Sequence, residues 1–378
     1  MRGIVKLEPV IKDYAWGNDY FIANLLGKEP CGPQAELWIG AHKSGSSIMS
    51  CASGECDGNC CYGRPLAEYI QEHPCFVTSE TSDENPDANV EFPFLLKVLA
   101  IGQALSLQCH PNAQQAKVGF EAKNKAYQDA NPKAEMLYAL TPTLLMCGFR
   151  EFDEIKNNFQ RVVPNVWSQY LSQIGSIADF FHTLYNLDAE ALAFALKELS
   201  EHKASMDALQ LEVFNLIYPK YSDPGVFAPL FLNVVRLQPG QAVYLKPQVL
   251  HAYVLGNGVE LMNNSDNVLR AGLTQKYMDV KELERIMLAE PYYPKPMTST
   301  ASSEGVRFET EAGFALTVIK GESHSVKTLG PKLVLCTEGS VMVGPDCLLE
   351  KGQCCIAGNQ AKDYKIDATN GCAFMASK

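Results

Sequence analysis

A carboxamide and an imidazole stand two residues apart in Leu105-Ser106-Leu107-Gln108-Cys109-His110-Pro111-Asn112. On a β-strand, Gln108 and His110 share one face while Cys109 points to the other. One strand can then offer a metal ion two donors. Far downstream, His251 in Leu250-His251-Ala252-Tyr253 supplies a second imidazole, and Glu135 a carboxylate between them. Such a set, with a position left for water or substrate, suits a zinc shell. Each part alone is common, since Gln-x-His pairs arise by chance and buried histidines are usually satisfied by backbone. His42, His73, His182, His202 and His324 have no partner at metal-ligand spacing and are expected to be structural or exposed. Gly256-x-Gly258 lacks the third glycine and following helix of a dinucleotide site, so no redox cofactor is expected.

The elements that must hold these donors read as follows. Residues 1–75 suggest short strands broken by turns, with Glu36-Leu37-Trp38-Ile39-Gly40 half-buried. Ser79 to Asp87 is acidic and interrupted by Pro86, hence a surface loop. Phe94 to Leu99 forms an apolar strand, and after Gly102 comes the Gln108/His110 strand, which Pro111 must end. Between 112 and 224 the period lengthens. Ile177, Phe180, Phe181, Leu184 and Leu187 recur at helical spacing, as do Leu192, Ala195, Leu196 and Leu199, with Asp188 placed to cap the second helix. Strands resume at Phe231, with turns expected at Pro239-Gly240 and Gly256-Asn257-Gly258, and a short helix over Lys281 to Leu288. From Phe308 onward, short strands alternate with glycine-containing turns, the rhythm of a sandwich or jelly roll. The expected fold is mainly β with an α-helical insertion. It comprises a discontinuous cupin-type jelly roll (1–111 and 225–295), a helical domain (112–224) and a C-terminal jelly roll (296–378).

The 378 residues, 47% hydrophobic and 20% charged, suffice for two or three well-filled domains. A formal net charge of −11 repels nucleic acid and anionic membrane, so neither is expected as a partner. An anionic substrate would need a locally basic pocket. Met1 to Glu8 has no apolar stretch of signal-peptide length, so the expected setting is the cytoplasm, with the 13 cysteines reduced. Cys51, Cys56, Cys60 and Cys61 lack the paired C-x2-C grammar of structural zinc sites and read as an exposed insertion loop.

Longer motifs carry more weight. Gly258-Val259-Glu260-Leu261-Met262-Asn263-Asn264-Ser265-Asp266-Asn267-Val268-Leu269-Arg270-Ala271-Gly272-Leu273-Thr274 closely resembles the signature of the type I phosphomannose isomerases. So do Tyr14-Ala15-Trp16-Gly17, Ala35 to His42, Pro93 to Leu99, the Gln108/His110 run, and Gly225 to Asn233. The resemblance runs in register from about residue 5 to 290 and more loosely to the end.

It implies an isomerase that interconverts D-mannose 6-phosphate and D-fructose 6-phosphate through a cis-enediol. Such an enzyme links mannose to glycolysis and to GDP-mannose synthesis. It implies one Zn²⁺ per chain on Gln108, His110, Glu135 and His251, although Ala134 stands where the family usually has proline before the glutamate. Arg270 matches the family's active-site arginine, whose fixed charge would stabilise the enediolate oxygens. A structural arginine held by Asp266 is the competing view. The proton-transfer base stays open among Glu260, Lys133 and a water on the metal. Ser106, Lys97, Lys133 and Lys276 match polar positions for phosphate and hydroxyls, and Trp16 an aromatic wall. A monomer is expected. The rival readings are an Fe(II) cupin oxygenase, which favours a two-histidine, one-carboxylate face, and a metal-containing sugar-binding protein without catalysis.

Overall fold

The computed structural model describes residues 3–50, 63–78, 90–327, 329–361 and 363–378. The cysteine-rich insertion at Cys51 to Cys61 and the acidic loop at Ser79 to Asp87 lie outside the described residues. The fold is mainly β with a helical region, the class expected from the sequence. Its residues group into two compact units, 1–100 with 259–264 and 297–378, and 101–258 with 265–296.

In the first unit, Lys332–Val343 is the central strand. It pairs antiparallel with Cys354–Ala357 on one side and Gly371–Ser377 on the other, and Ala315–Lys320 and Gly305–Glu309 extend that sheet. A second layer, Ser323–Val326, Tyr364–Asp367 and Cys347–Glu350, pairs with the far end of the same strand. Val334, Val341, Val343, Leu349, Ile366 and Met375 fill the core between them. This is the rhythm of short strands read after Phe308. The chain's start also contributes here: Ile4–Glu8 pairs with Cys354–Ala357, Ile4 opposite Ala357. Also in this unit, Val10–Lys12, Glu36–Ile39 and Phe94–Ile101 pair in that order. Every residue of Phe94–Ile101 is buried, as a continuous apolar run allows.

In the second unit, Thr143–Phe149 pairs with Leu232–Leu237 and with the strand beginning at His251. Glu135–Ala139 pairs with Ala242–Leu245, and Leu107–Cys109 with Leu269–Gly272. Against this sheet lie helices Phe152–Val162, Ile177–Tyr185, Ala189–Glu201 and Ala208–Ile217. Their buried faces carry Ile177, Phe180, Phe181, Leu184, Ala195 and Leu199, the periodic residues of the sequence. The Asp188 carboxylate accepts from the Ala191 N–H, the N-cap expected of it.

Two local readings change. Strands Glu135–Ala139 and Thr143–Phe149 interrupt the stretch 112–224 that was read as helical. Both are apolar on nearly every residue, and a run buried on both faces has no alternation to betray it. Gly256-Asn257-Gly258 is no turn, because the strand His251–Asn263 runs straight through it. Gly256 has φ +122°, and a Cβ there would lie 2.6 Å from Thr143 Oγ1. The register against Thr143–Phe149 slips between Leu144 and Leu145, so the glycine accommodates a bulge and a close backbone approach.

Candidate metal centre

Three polar residues sit in one row across three strands of the second unit. Gln108 is directly opposite His251 on one side and Arg270 on the other. Directly opposed residues project from the same face, so carboxamide, imidazole and guanidinium share it. Cys109 points the other way, into the apolar core.

His110 follows that strand, its ring centroid 5.1 Å from that of His251. Its Nδ1 lies 2.8 Å from the Asn267 carbonyl, and His251 Nδ1 lies 2.9 Å from the Val249 carbonyl. A carbonyl only accepts, so both Nδ1 atoms carry the proton in a neutral ring and both Nε2 atoms present lone pairs. Between those lone pairs stands Glu135, the first residue of its strand. Its Oε1 is 3.3 Å from His110 Nε2, and its Oε2 is 3.3 Å from His251 Nε2. His110 Nε2, His251 Nε2 and Glu135 Oε2 are all buried without a hydrogen-bond donor. Three acceptors facing one another in a buried site suit a cation bound between them.

Glu135 and its neighbours set the electrostatics. Burial would raise the Glu135 carboxyl, but its surroundings, the adjacent Lys133 ammonium first among them, outweigh that and hold it well below the usual carboxylate range. Lys133 Nζ is 3.0 Å from Glu135 Oε1, and both residues are buried. Burial first, then Lys133, push His110 down to about 4, which keeps its lone pair free for a metal at neutral pH. Ala134, in place of a proline, does not keep Glu135 from the cluster. Among the described residues, His110, Glu135 and His251 are the group of histidine, cysteine and acidic side chains close enough to hold one ion, with ligand atoms all within 4.8 Å. His182 and His324 are instead partnered by Glu284 and Glu322.

Arg270 is half-buried, and burial lowers its pKa. Among the described residues no ion pair joins it to Asp266. It lines a cavity of about 410 Å³ with Lys125, Asp266, Lys276 and Tyr277. Ser106 directly precedes the Gln108 strand, and Lys276 is exposed. Lys97, Glu260 and Trp16 belong to the first unit. There Lys97 Nζ pairs with Glu260 (3.2 Å) and Glu36 (3.5 Å), which explains a lysine on an otherwise apolar buried strand. Trp16 stacks on Tyr14 at 5.9 Å. Asn267 and Asp129, which bind one another behind His110, escaped the sequence reading. A run of short polar residues looks like a loop, and nothing in it announces burial.

Comparison with known proteins decides the family. Residues 4–152 match the catalytic-domain model of type I phosphomannose isomerase. The mannose-6-phosphate isomerase of Salmonella typhimurium is 32% identical over 99% of both chains. The Escherichia coli enzyme is 33% identical over 88% of each. The chain belongs to the type I phosphomannose isomerases. Among solved members of this family, a zinc-bound holo mannose 6-phosphate isomerase superimposes with a TM-score of 0.85 at 30% identity, covering 100% of both chains. A variant of the phosphomannose isomerase from Salmonella typhimurium gives 0.86 at the same identity and coverage.

Proposed function

We propose that this protein is a zinc-dependent aldose–ketose isomerase converting D-mannose 6-phosphate to D-fructose 6-phosphate and back. The observation that carries the reading is the Glu135 carboxylate set between two buried Nε2 atoms without hydrogen-bond partners, in the same unit as a guanidinium that makes no ion pair among the described residues. His110, Glu135 and His251 would hold the ion, with Gln108 as a fourth donor from the shared face. Zinc, when bound, supplies a Lewis acid and a template at the sugar oxygens.

The reaction moves one proton between C1 and C2, and negative charge builds on oxygen as it leaves. Arg270, on the face that carries Gln108 and His251, stabilises that charge with a cation that stays protonated at neutral pH. Lys133 holds Glu135 ionised and is one candidate for moving the proton. Glu260, matched by resemblance, is the other side-chain candidate, and a water on the metal is the third. Ser106 and Lys276 are assigned to phosphate and hydroxyls, with Lys276 beside Arg270 in the cavity wall. Lys97 and Trp16 are assigned to the substrate by resemblance. The protein is taken to act as a cytoplasmic monomer without nucleic-acid or membrane partners. Among the described residues, no helix is long and apolar enough to cross a membrane.

The test is to incubate purified protein with mannose 6-phosphate and measure fructose 6-phosphate, before and after chelator treatment and zinc addition. Product that vanishes with the metal and returns with zinc supports the reading. No product from zinc-loaded protein refutes it.

A further inference from the structure

His110 is aimed by a carbonyl, and that carbonyl is itself fixed by a partly buried polar knot. Asn267, fully buried, gives its backbone oxygen to His110 Nδ1 at 2.8 Å. Its side chain is locked on both ends. Oδ1 accepts from the N–H of Gln128 (2.7 Å) and Asp129 (3.3 Å), while Nδ2 donates to the carbonyls of Asp129 and Asn131, each at 2.9 Å. The Asp129 carboxylate closes the knot from the other direction. Its Oδ1 accepts from Ser265 Oγ at 2.8 Å, the Asn131 N–H at 3.0 Å and Asn267 Nδ2 at 3.1 Å, and its Oδ2 accepts from the Asp266 N–H at 2.9 Å.

Two chain segments are thereby tied together, and both lead into the metal centre. From Asp129 the chain reaches Lys133 and Glu135 within a few residues, and from Asn267 it reaches Arg270. Residues of the same two segments, among them Gln128, Asp266 and Val268, line the cavity beside Arg270. A charged acceptor satisfied by several short bonds is stiff, and outer-shell partners of a ligating histidine set ring orientation and basicity.

We infer that Asp129 and Asn267 are positioning residues that act together as a latch, presenting His110 and Glu135 to the ion and setting the protein's metal affinity. The latch reading rests on the metal reading of the site. Neither residue touches the substrate or the ion in this account. Both act through His110 and the segment entering Glu135.

The test uses the full-length protein, with zinc affinity measured by competition against a chromophoric chelator and with the visible spectrum of the cobalt-substituted form. Asp129→Asn keeps the shape but turns one acceptor oxygen into a donor facing other donors. Zinc affinity is expected to fall by about 10–100-fold, with a changed cobalt spectrum, because outer-shell losses act on that scale. Ser265→Ala removes one neutral bond to the same carboxylate, and should weaken zinc about 2–10-fold, keeping the test alive if Asp129→Asn fails to fold. Variants that lose thermal stability as metal-free proteins but keep wild-type zinc affinity and cobalt spectrum would overturn the latch and leave a purely structural knot. Absence of stoichiometric zinc binding by the unmodified protein would be a different failure, that of the metal reading itself.

Discussion

Glu135→Gln should cost the metal-free protein stability, and Lys133→Met in the same chain should return most of it without returning function. The substitution keeps the side chain's shape and removes its charge. Lys133 Nζ, 3.0 Å away and buried, then has no ion-pair partner among the described residues. At an effective dielectric constant of about 20, two unit charges at this separation attract with on the order of 5 kcal/mol. Part of that is offset, because the carboxylate's own burial opposes its charge. Breaking a buried pair by removing one partner costs about 3–5 kcal/mol, so a loss near 3 kcal/mol is expected. Replacing the stranded ammonium with an apolar side chain should recover about 2 kcal/mol or more, since a fully apolar substitute often matches a buried pair. The assay is urea unfolding of chelator-treated wild type, Glu135→Gln, Lys133→Met and the double variant, with zinc affinity measured on the same samples. Both variants lacking the carboxylate should bind zinc poorly and show no isomerase activity. Single and double variants all within about 1 kcal/mol of wild type would refute the reasoning, because Lys133 and Glu135 would then not be a desolvated pair.

Arg270→Lys should leave zinc content unchanged while cutting kcat by about 10²–10³-fold, the scale of losing one positioned electrostatic contact to a developing oxyanion; metal analysis beside steady-state kinetics checks both halves. Gly256→Ala should destabilise by about 2–4 kcal/mol in urea unfolding. Its φ of +122° disfavours a side chain, and the new Cβ would lie 2.6 Å from Thr143 Oγ1 and 2.7 Å from Thr143 Cα. Asp188→Ala removes the acceptor for the Ala191 N–H and should cost about 1 kcal/mol with activity unchanged, read by thermal melting and assay.

How much of this was legible in the sequence depended on pattern. Alternation along Leu107-Gln108-Cys109 gave the shared face of Gln108 and His110, because a half-buried strand writes its orientation into its residue types. The amphipathic helices and the Asp188 cap were readable for the same reason. Glu135–Ala139 and Thr143–Phe149 were not, since strands buried on both faces show composition without period. Gly256-Asn257-Gly258 has the vocabulary of a turn, and only the Thr143 backbone packed against it shows that the glycines serve close approach instead. At the site, Arg270 gained its place beside Gln108 from strand register, a relation between segments 162 positions apart that no local window contains. Asn267, buried, and Asp129, partly buried, form a network whose polar residues look, in sequence, like any solvated loop.

The proposed mechanism needs one cation held by His110, Glu135, His251 and Gln108, and the most direct test is metal titration of the active protein. Chelator-stripped enzyme is reloaded with zinc in fractional steps, and bound metal and isomerase rate are measured on each sample. This mechanism predicts a rate that rises linearly with occupancy and levels off at one zinc per chain. Full activity in metal-free protein would contradict it.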